Sequence, residues 1–505
     1  MSRVNFLFLL AAMLALSGLV LLMMWPGLNE PILEGLDGAH HLMDGLFFYD
    51  LLRDLPFSHL IDYTFDYYRH YPALGFVFWP PFFPFIEGIT FHLLGTQMQS
   101  ALLALLVFGI IFTASFWWLS RRLLMSHLWA WAATALLITS SVLLPYWNTV
   151  MREIPVLAMM LLWLVCWCRC LDQATMGRWL WVVVVGWLVI YTKQTGALIF
   201  IAAGVDVLLS KREVLKRGAT WWAAALFILG ALPLLMWTLT YGQSNLSQSF
   251  GSDTQRIMSD YQGSARWSWQ AWHFYVPVMM AMLPKLLWPG CLCSVAMLSD
   301  KRYWVWFLWL IGFYLLFSYF DNRDARFAIL ALPPLLLLSI GGWCWLVGRL
   351  KRFHWPVLAI LGGVLVNQVV VALEYVPRGE RGMGNIVRSL PTQGNVVYLG
   401  QYRQLWVYHQ CMQDALRQHA VLQGDDLLAA TKGWQTLLHD YQVAYVVMEA
   451  PADAHQQTQL SQLAKRLPDA QFTLDDHAVK LHLWQYTGPH AVKMADIPLH
   501  SHLIE

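Results

Sequence analysis

The chain has 505 residues, of which 58% are hydrophobic and only 13% charged, with 28 Trp, 26 Phe and 20 Tyr. Soluble domains carry about 25% charged residues, so this composition excludes a soluble globular protein. It fits a polytopic membrane protein with aromatic belts at both interfaces. A formal net charge of +2 gives no reason to expect a nucleic-acid partner.

From the N-terminus, the first apolar stretch covers 5–25. It lacks a small-residue cleavage site and is long for a signal-peptide core, so it reads as an uncleaved signal anchor. "GLDGAHHLMDGLFFYDLLRD" (35–54) follows, with Asp37, His40, His41 and Asp44 at i, i+3, i+4 and i+7. A helix here puts all four on one face. "YPALGFVFWPPFFPFIEGITFHLLG" (71–95) is apolar, but its prolines at 72, 80, 81 and 84 argue against an uninterrupted span. It is assigned to a large first external loop, 26–98.

Further spans of about 20 apolar residues are expected near 99–120, 127–146, 154–171, 178–193, 196–210, 219–241, 277–298, 303–320, 327–348 and 355–375. With the first stretch that makes about eleven. In this register Arg121–Arg122, Arg178, "KREVLKR" (211–217), Lys301–Arg302 and "RLKR" (349–352) share one side with Arg3. The positive-inside rule makes that side cytoplasmic. The loop 26–98, "YWNTVMREIP" (146–155), "TKQTG" (192–196), 242–276, "DNRDAR" (321–326) and everything after 376 then lie outside. The expected domains are a membrane domain, 1–375, and an extracytoplasmic domain, 376–505.

The tail changes character. "NVVYLG" (395–400), "AVLQG" (420–424) and "VAYVVME" (443–449) read as strands, with helical patterns between them, a helix at 454–466 and a last strand near 478–485. This is a small α/β domain without a G-x-G-x-x-G or P-loop motif. Cys166, Cys168, Cys170, Cys291, Cys293 and Cys344 lie in apolar segments and only Cys411 in the tail, so the tail has no internal disulfide. The i, i+2 spacing in "CWCRC" does not gather thiols on one helix face.

Charges at span ends are costly unless used or solvated. Glu153, Lys193 and Arg326 stand at such ends, with Arg152 and Arg323 beside them. Lys285 lies in an apolar stretch where a snorkelling side chain is the plain explanation, and the role of Glu87 in "FIEG" is open. "FDYYRHYP" (65–72) offers Arg69 and Tyr71 for sugar or acceptor binding, or for an interfacial belt. Asp37, His41 and Asp44 also have the spacing to ligate a divalent metal from one helix face, an alternative to acid–base work.

The early "LDGAHHL", together with "YPALGFVFWPPFFPFIEG", "MREIPVLAMMLLWL", "YTKQTGALI" and "DARFAILALPPLLLL", resembles the GT-C membrane glycosyltransferases. More narrowly, it resembles the branch related to protein O-mannosyltransferases and the lipid A aminoarabinose transferase. The likeness covers about 30–375. Many relatives have Asp-Glu where this chain has "DG", so the second acid is missing. The resemblance implies an inverting transfer of a sugar from a polyprenyl-phosphate donor to a lipid, glycan or protein acceptor, without a cofactor, at the outer face of a bacterial inner membrane. Asp37 would be the base, with Glu153 the second acid and Asp44 orienting the site. Lys193 or Arg326 would hold the donor phosphate, with His40, His41, Arg69 and Tyr71 toward substrate. Alternative readings are a lipid or sugar transporter, against which no internal repeat is visible, and a non-catalytic family member.

Overall fold

The computed structural model describes residues 3–242, 266–350, 354–390, 394–431 and 433–498. Most of the expected outer segment 242–276 and part of "RLKR" therefore lie outside the described residues. The helices are α1 (Arg3–Asn29), α2 (Gly35–Asp54), α3 (Leu60–His70), α4 (Phe82–Leu94), α5 (Met98–Leu124), α6 (His127–Ile138) and α7 (Leu144–Asn148). They continue with α8 (Glu153–Asp172), α9 (Met176–Thr192), α10 (Leu198–Ser210), α11 (Gly218–Tyr241), α12 (Trp304–Tyr319), α13 (Leu332–Leu350) and α14 (His354–Leu373).

Among the described residues, six helices are long and apolar enough to cross a membrane: Leu10–Asn29, Met98–Leu124, Glu153–Asp172, Gly218–Tyr241, Ala325–Leu350 and Trp355–Leu373. The expected span 277–298 falls on a pair, Trp269–Met282 and Lys285–Ser299, bent by 96°. Three other expected spans coincide with the shorter apolar helices Met176–Thr192, Gln194–Ser210 and Trp304–Tyr319. The stretch 127–146 divides into α6 and α7, with Pro145 in the first turn of α7, where a missing N–H costs nothing. The 13 residues of α4 make a helix of about 20 Å. That is too short for a hydrocarbon core of about 30 Å.

The chain forms two compact units. The first comprises Met1–Asn29, Phe78–Phe83 and Leu102–Val376 and holds the long apolar helices. In α8, 72% of the apolar stretch is buried, against 6% in α11, so α8 is a core helix and α11 presents its sides to lipid. α1 and α7 meet at Gly27, where a Cβ would come within 2.6 Å of the Asn148 carbonyl oxygen. Fully buried Asn148 accepts from Gly27 N–H at 2.7 Å and donates to the Met23 and Leu144 carbonyls at 2.9 and 2.8 Å. This stitches the chain just before Glu153.

The second unit comprises Glu30–Val77, Pro84–Ala101 and Pro377–Glu505. Sequence reasoning puts the boundary at 376 and keeps the first loop with the membrane helices. Contacts instead group most of that loop with the tail. The reason is a polar tie. Asp50 of α2 is fully buried, accepts from Arg417 Nε at 2.8 Å and Tyr67 hydroxyl at 2.9 Å, and faces Arg53 at 3.0 Å. Helix α15 (Arg403–Gln413) packs along α2.

The sheet of this unit has strands β1 (Glu380–Arg381), β2 (Asn395–Leu399), β3 (Val421–Gln423), β4 (Val443–Glu449), β5 (Lys465–Arg466), β6 (Ala470–Leu474) and β7 (His477–Gln485). Its order is β1-β6-β7-β4-β2-β3, with β5 on β7. β2 pairs parallel with both β3 and β4, while β7 is antiparallel to β4 and β6. The uninterrupted apolar runs of β2 and β4 suit central parallel strands covered by helices. Val397, Leu422, Val446 and Trp484 form their core with Trp434 and Leu437.

Candidate active-site residues

The sequence candidates divide between the units. Asp37, His40, His41, Asp44, Arg69 and Tyr71 belong to the second, and Glu153, Lys193 and Arg326 to the first.

The 35–54 stretch is helical as its spacing implies, but its four polar residues do different work. Asp44 is fully buried and accepts from the Gly75 N–H at 2.7 Å. His41 is also buried. His40 donates from Nδ1 to the Ala73 carbonyl at 2.7 Å. Asp44 and His40 thus pin the "YPALG" turn, a structural task. Asp37 sits half-buried in the first turn of α2, where the helix dipole favours a carboxylate. Burial pushes the His40 imidazole below its ordinary pKa; the hydrogen bond to Ala73 and the charge of Asp37 oppose this, and Arg403 adds to it. Neutral His40 with Nδ1 donating leaves Nε2 as an acceptor. Among the described residues, no group of three or more His, Cys, Asp or Glu is arranged to hold a metal ion.

Tyr71 is buried and its hydroxyl donates to the Arg417 carbonyl at 3.0 Å. Arg69 pairs with Asp66 one turn earlier at 2.6 Å. Glu87 of α4 is fully buried, packed where Gly45 lets α2 approach closely: a Cβ there would lie 2.9 Å from Glu87 Cβ. Sequence reasoning missed Arg403, whose Nε donates to the Pro72 carbonyl at 3.3 Å. Burial lowers its pKa, opposed by neighbouring Tyr68 and by the carboxylates of Asp425 and Asp426. Arg403 lies in a helix of the tail, and only folding brings it near His40.

In the first unit, Glu153 opens α8 and Lys193 follows the last residue of α9. The two dipole ends suit an acid and a cation respectively. Lys193 Nζ and Glu153 Oε1 are 2.6 Å apart, with side chains 12% and 3% exposed. Glu153 Oε2 is buried and has no hydrogen-bond partner among the described residues. The ring of Phe327 gathers both predicted cations, with Lys193 Nζ 5.9 Å and the Arg326 guanidinium 5.6 Å from its centroid. Arg326 is held by Asp324 at 2.9 Å. Phe327 was invisible as a site residue because nothing in an apolar run marks one Phe.

Arg152 and Arg323 are buried. Arg152 donates to the Pro80 carbonyl and lies over the Trp79 ring, while Arg323 Nε donates to the Ser318 carbonyl at 3.1 Å. Both shape backbone. Lys285 is exposed at the break of the bent pair.

Residues 79–237 match the family model described as dolichyl-phosphate-mannose-protein mannosyltransferase. Two crystal structures of ArnT from Cupriavidus metallidurans share the fold. The one bound to undecaprenyl phosphate is 15% identical, with a TM-score of 0.55 over 95% of this chain and 98% of that chain. The apo form is 14% identical, with a TM-score of 0.58 over the same shares of 95% and 98%. At such identities the likeness is one of fold. No curated protein sequence matches the chain.

Proposed function

We propose that the chain is a membrane glycosyltransferase of the GT-C type, which moves a sugar from a polyprenyl-phosphate carrier to an acceptor hydroxyl at the outer face of the membrane; the family-model match over 79–237 and the shared fold with ArnT support this reading. The observation that supports this most is the Glu153–Lys193 pair with Arg326 at the same aromatic ring. Two cations near one point can neutralise a phosphate leaving group. The ArnT structure with bound undecaprenyl phosphate shows that this fold accommodates such a carrier in a relative.

In the proposed reaction the acceptor oxygen attacks the anomeric carbon as a carboxylate takes its proton. The bond from that carbon to the phosphate oxygen breaks, and the carrier phosphate leaves with the electron pair. Inversion follows from a single displacement. Asp37 is the proposed base, on its half-buried position and the resemblance, with Glu153 as the second acid. The reaction draws on no cofactor. The host is proposed to be bacterial, with the chain in its inner membrane and the acceptor a lipid, glycan or protein.

The test is transfer of radiolabelled sugar from a lipid-phosphate donor in membranes that contain the protein. Label should move into an acceptor fraction, and Lys193→Ala or Arg326→Ala should weaken donor use about 10–150-fold, as loss of a charge-assisted phosphate contact does. Sugar crossing the membrane without changing its attachment would instead identify a transporter.

A further inference from the structure

At the end of α8 and α9 away from Glu153 and Lys193 lies a cavity of about 410 Å³, within the usual size of small-molecule sites. It is lined by Leu162, Cys166, Arg169, Arg178, Trp181 and Val185. Its charge is one-sided. Arg178 is fixed at the rim: Nη1 donates to the Arg169 and Gln173 carbonyls at 2.7 and 3.3 Å, and Nη2 to Gln173 Oε1 at 2.9 Å. Those partners are neutral, so the guanidinium charge is not compensated. The nearest acid along α8, Asp172, is already engaged by both terminal nitrogens of Arg122 at 2.6 Å. Arg169 is exposed, and its guanidinium makes no hydrogen bond or ion pair among the described residues. The rim therefore carries two uncompensated positive charges.

Below the rim the walls turn apolar. Leu162 lies seven residues before Arg169, and Val185 seven after Arg178. Both intervals are about 10 Å of helix. Trp181 is 63% exposed, so the slot opens sideways. The helices are membrane helices, so that side faces acyl chains. We propose that this cavity is a binding site for an anionic phospholipid, with the headgroup phosphate between Arg169 and Arg178 and one acyl chain along Leu162, Trp181 and Val185. Basic pockets between helices at a membrane face suit such headgroups. A free phosphate would satisfy the rim and leave the apolar walls without an occupant. This site is independent of the proposed transferase reaction.

The experiment is native mass spectrometry of the whole protein in a non-ionic detergent, with phosphatidylglycerol or phosphatidylcholine added. One phosphatidylglycerol per chain should be retained in preference to phosphatidylcholine. Arg169→Ala should cut that preference about fivefold, the worth of one basic residue at a charged membrane surface. Arg169→Lys should keep most of it, and Arg121→Ala, outside the cavity, should leave it intact. Arg178→Ala also removes backbone contacts, so Cys166 provides a second readout: phosphatidylglycerol should slow its alkylation in wild type and not in Arg169→Ala. Equal retention of phosphatidylcholine overturns the proposal, as does an Arg169→Ala protein indistinguishable from wild type. Displacement of the lipid by excess inorganic phosphate would overturn it in favour of a phosphate site.

Discussion

Glu153 and Lys193 are 40 residues apart in sequence and 2.6 Å apart in the fold. Each was conspicuous in the sequence as a charge at the end of an apolar run. Their pairing was not, because it depends on how α8 packs against α9. The same holds for Phe327, which only tertiary packing brings to Lys193. His40 carries a prediction of its own. Its pKa in the folded protein lies below the ordinary 6.5, so the unfolded chain takes up the proton first as pH falls. The stability tied to neutral His40 is therefore complete above 6.5 and is lost as pH drops through the folded value. Thermal unfolding in detergent between about pH 7 and 5 should show a steeper acid loss in wild type than in His40→Ala. Parallel curves would mean that His40 does not titrate in this window.

At the scale of one element, α2 shows how far a periodic pattern can be read. The i, i+3, i+4, i+7 stripe correctly marked a helix and one shared face. It did not say which members face solvent, because the elements that cover α2 come from the tail and the "YPALG" turn. Burial separates the roles: Asp44 is enclosed and holds Gly75, while Asp37 is half-buried at the helix start. Asp44→Ala should destabilise the protein by about 1.5–3 kcal/mol, since a buried N–H loses a charged acceptor. Asp37→Asn should cost less stability than Asp44→Ala, up to about 1 kcal/mol for a carboxylate lost from a helix start, and lower transfer about 10²–10⁴-fold if Asp37 is the base. His41→Ala should cost far less transfer than Asp37→Asn if the face does acid–base work. Equal losses, with silencing by a chelator, would favour the metal alternative. A stable, fully active Asp37→Asn protein would move the assignment of the base to Glu153. The tail strands were legible for a simpler reason: β2, β3 and β4 are short apolar runs between turn residues. The two-residue β1 and β5 have no such run and were not seen, β5 falling inside the helix expected over 454–466, and the alternating β6 (Ala470–Leu474) was also missed.

For the molecule as a whole, the membrane register decides which polar groups can meet a substrate. The Arg122–Asp172 pair joins the last turn of α5 to the last residue of α8, so these ends lie on one side. Glu153, at the other end of α8, and Lys193, past the end of α9, lie on the opposite side. α4 is too short to add a crossing, so α1 and α5 should return the chain to the side where it began. Arg121 and Arg122 then share a side with the N-terminus, and the positive-inside rule predicts that this side is cytoplasmic. If the bent pair and the shorter apolar helices each complete a crossing, as the sequence reading expects, residue 505 is predicted to lie outside. A reporter active only outside the cytoplasm should therefore be active when fused after residue 505 and silent when fused after Arg121. An active Arg121 fusion would mean that 71–95 crosses after all. Glu153 and Lys193 would then stand on the cytoplasmic side, and the outer-face reaction proposed for them would have to be abandoned. The opposite pair of results leaves Glu153, Lys193 and Arg326 where a lipid-linked sugar on the outer leaflet could reach them.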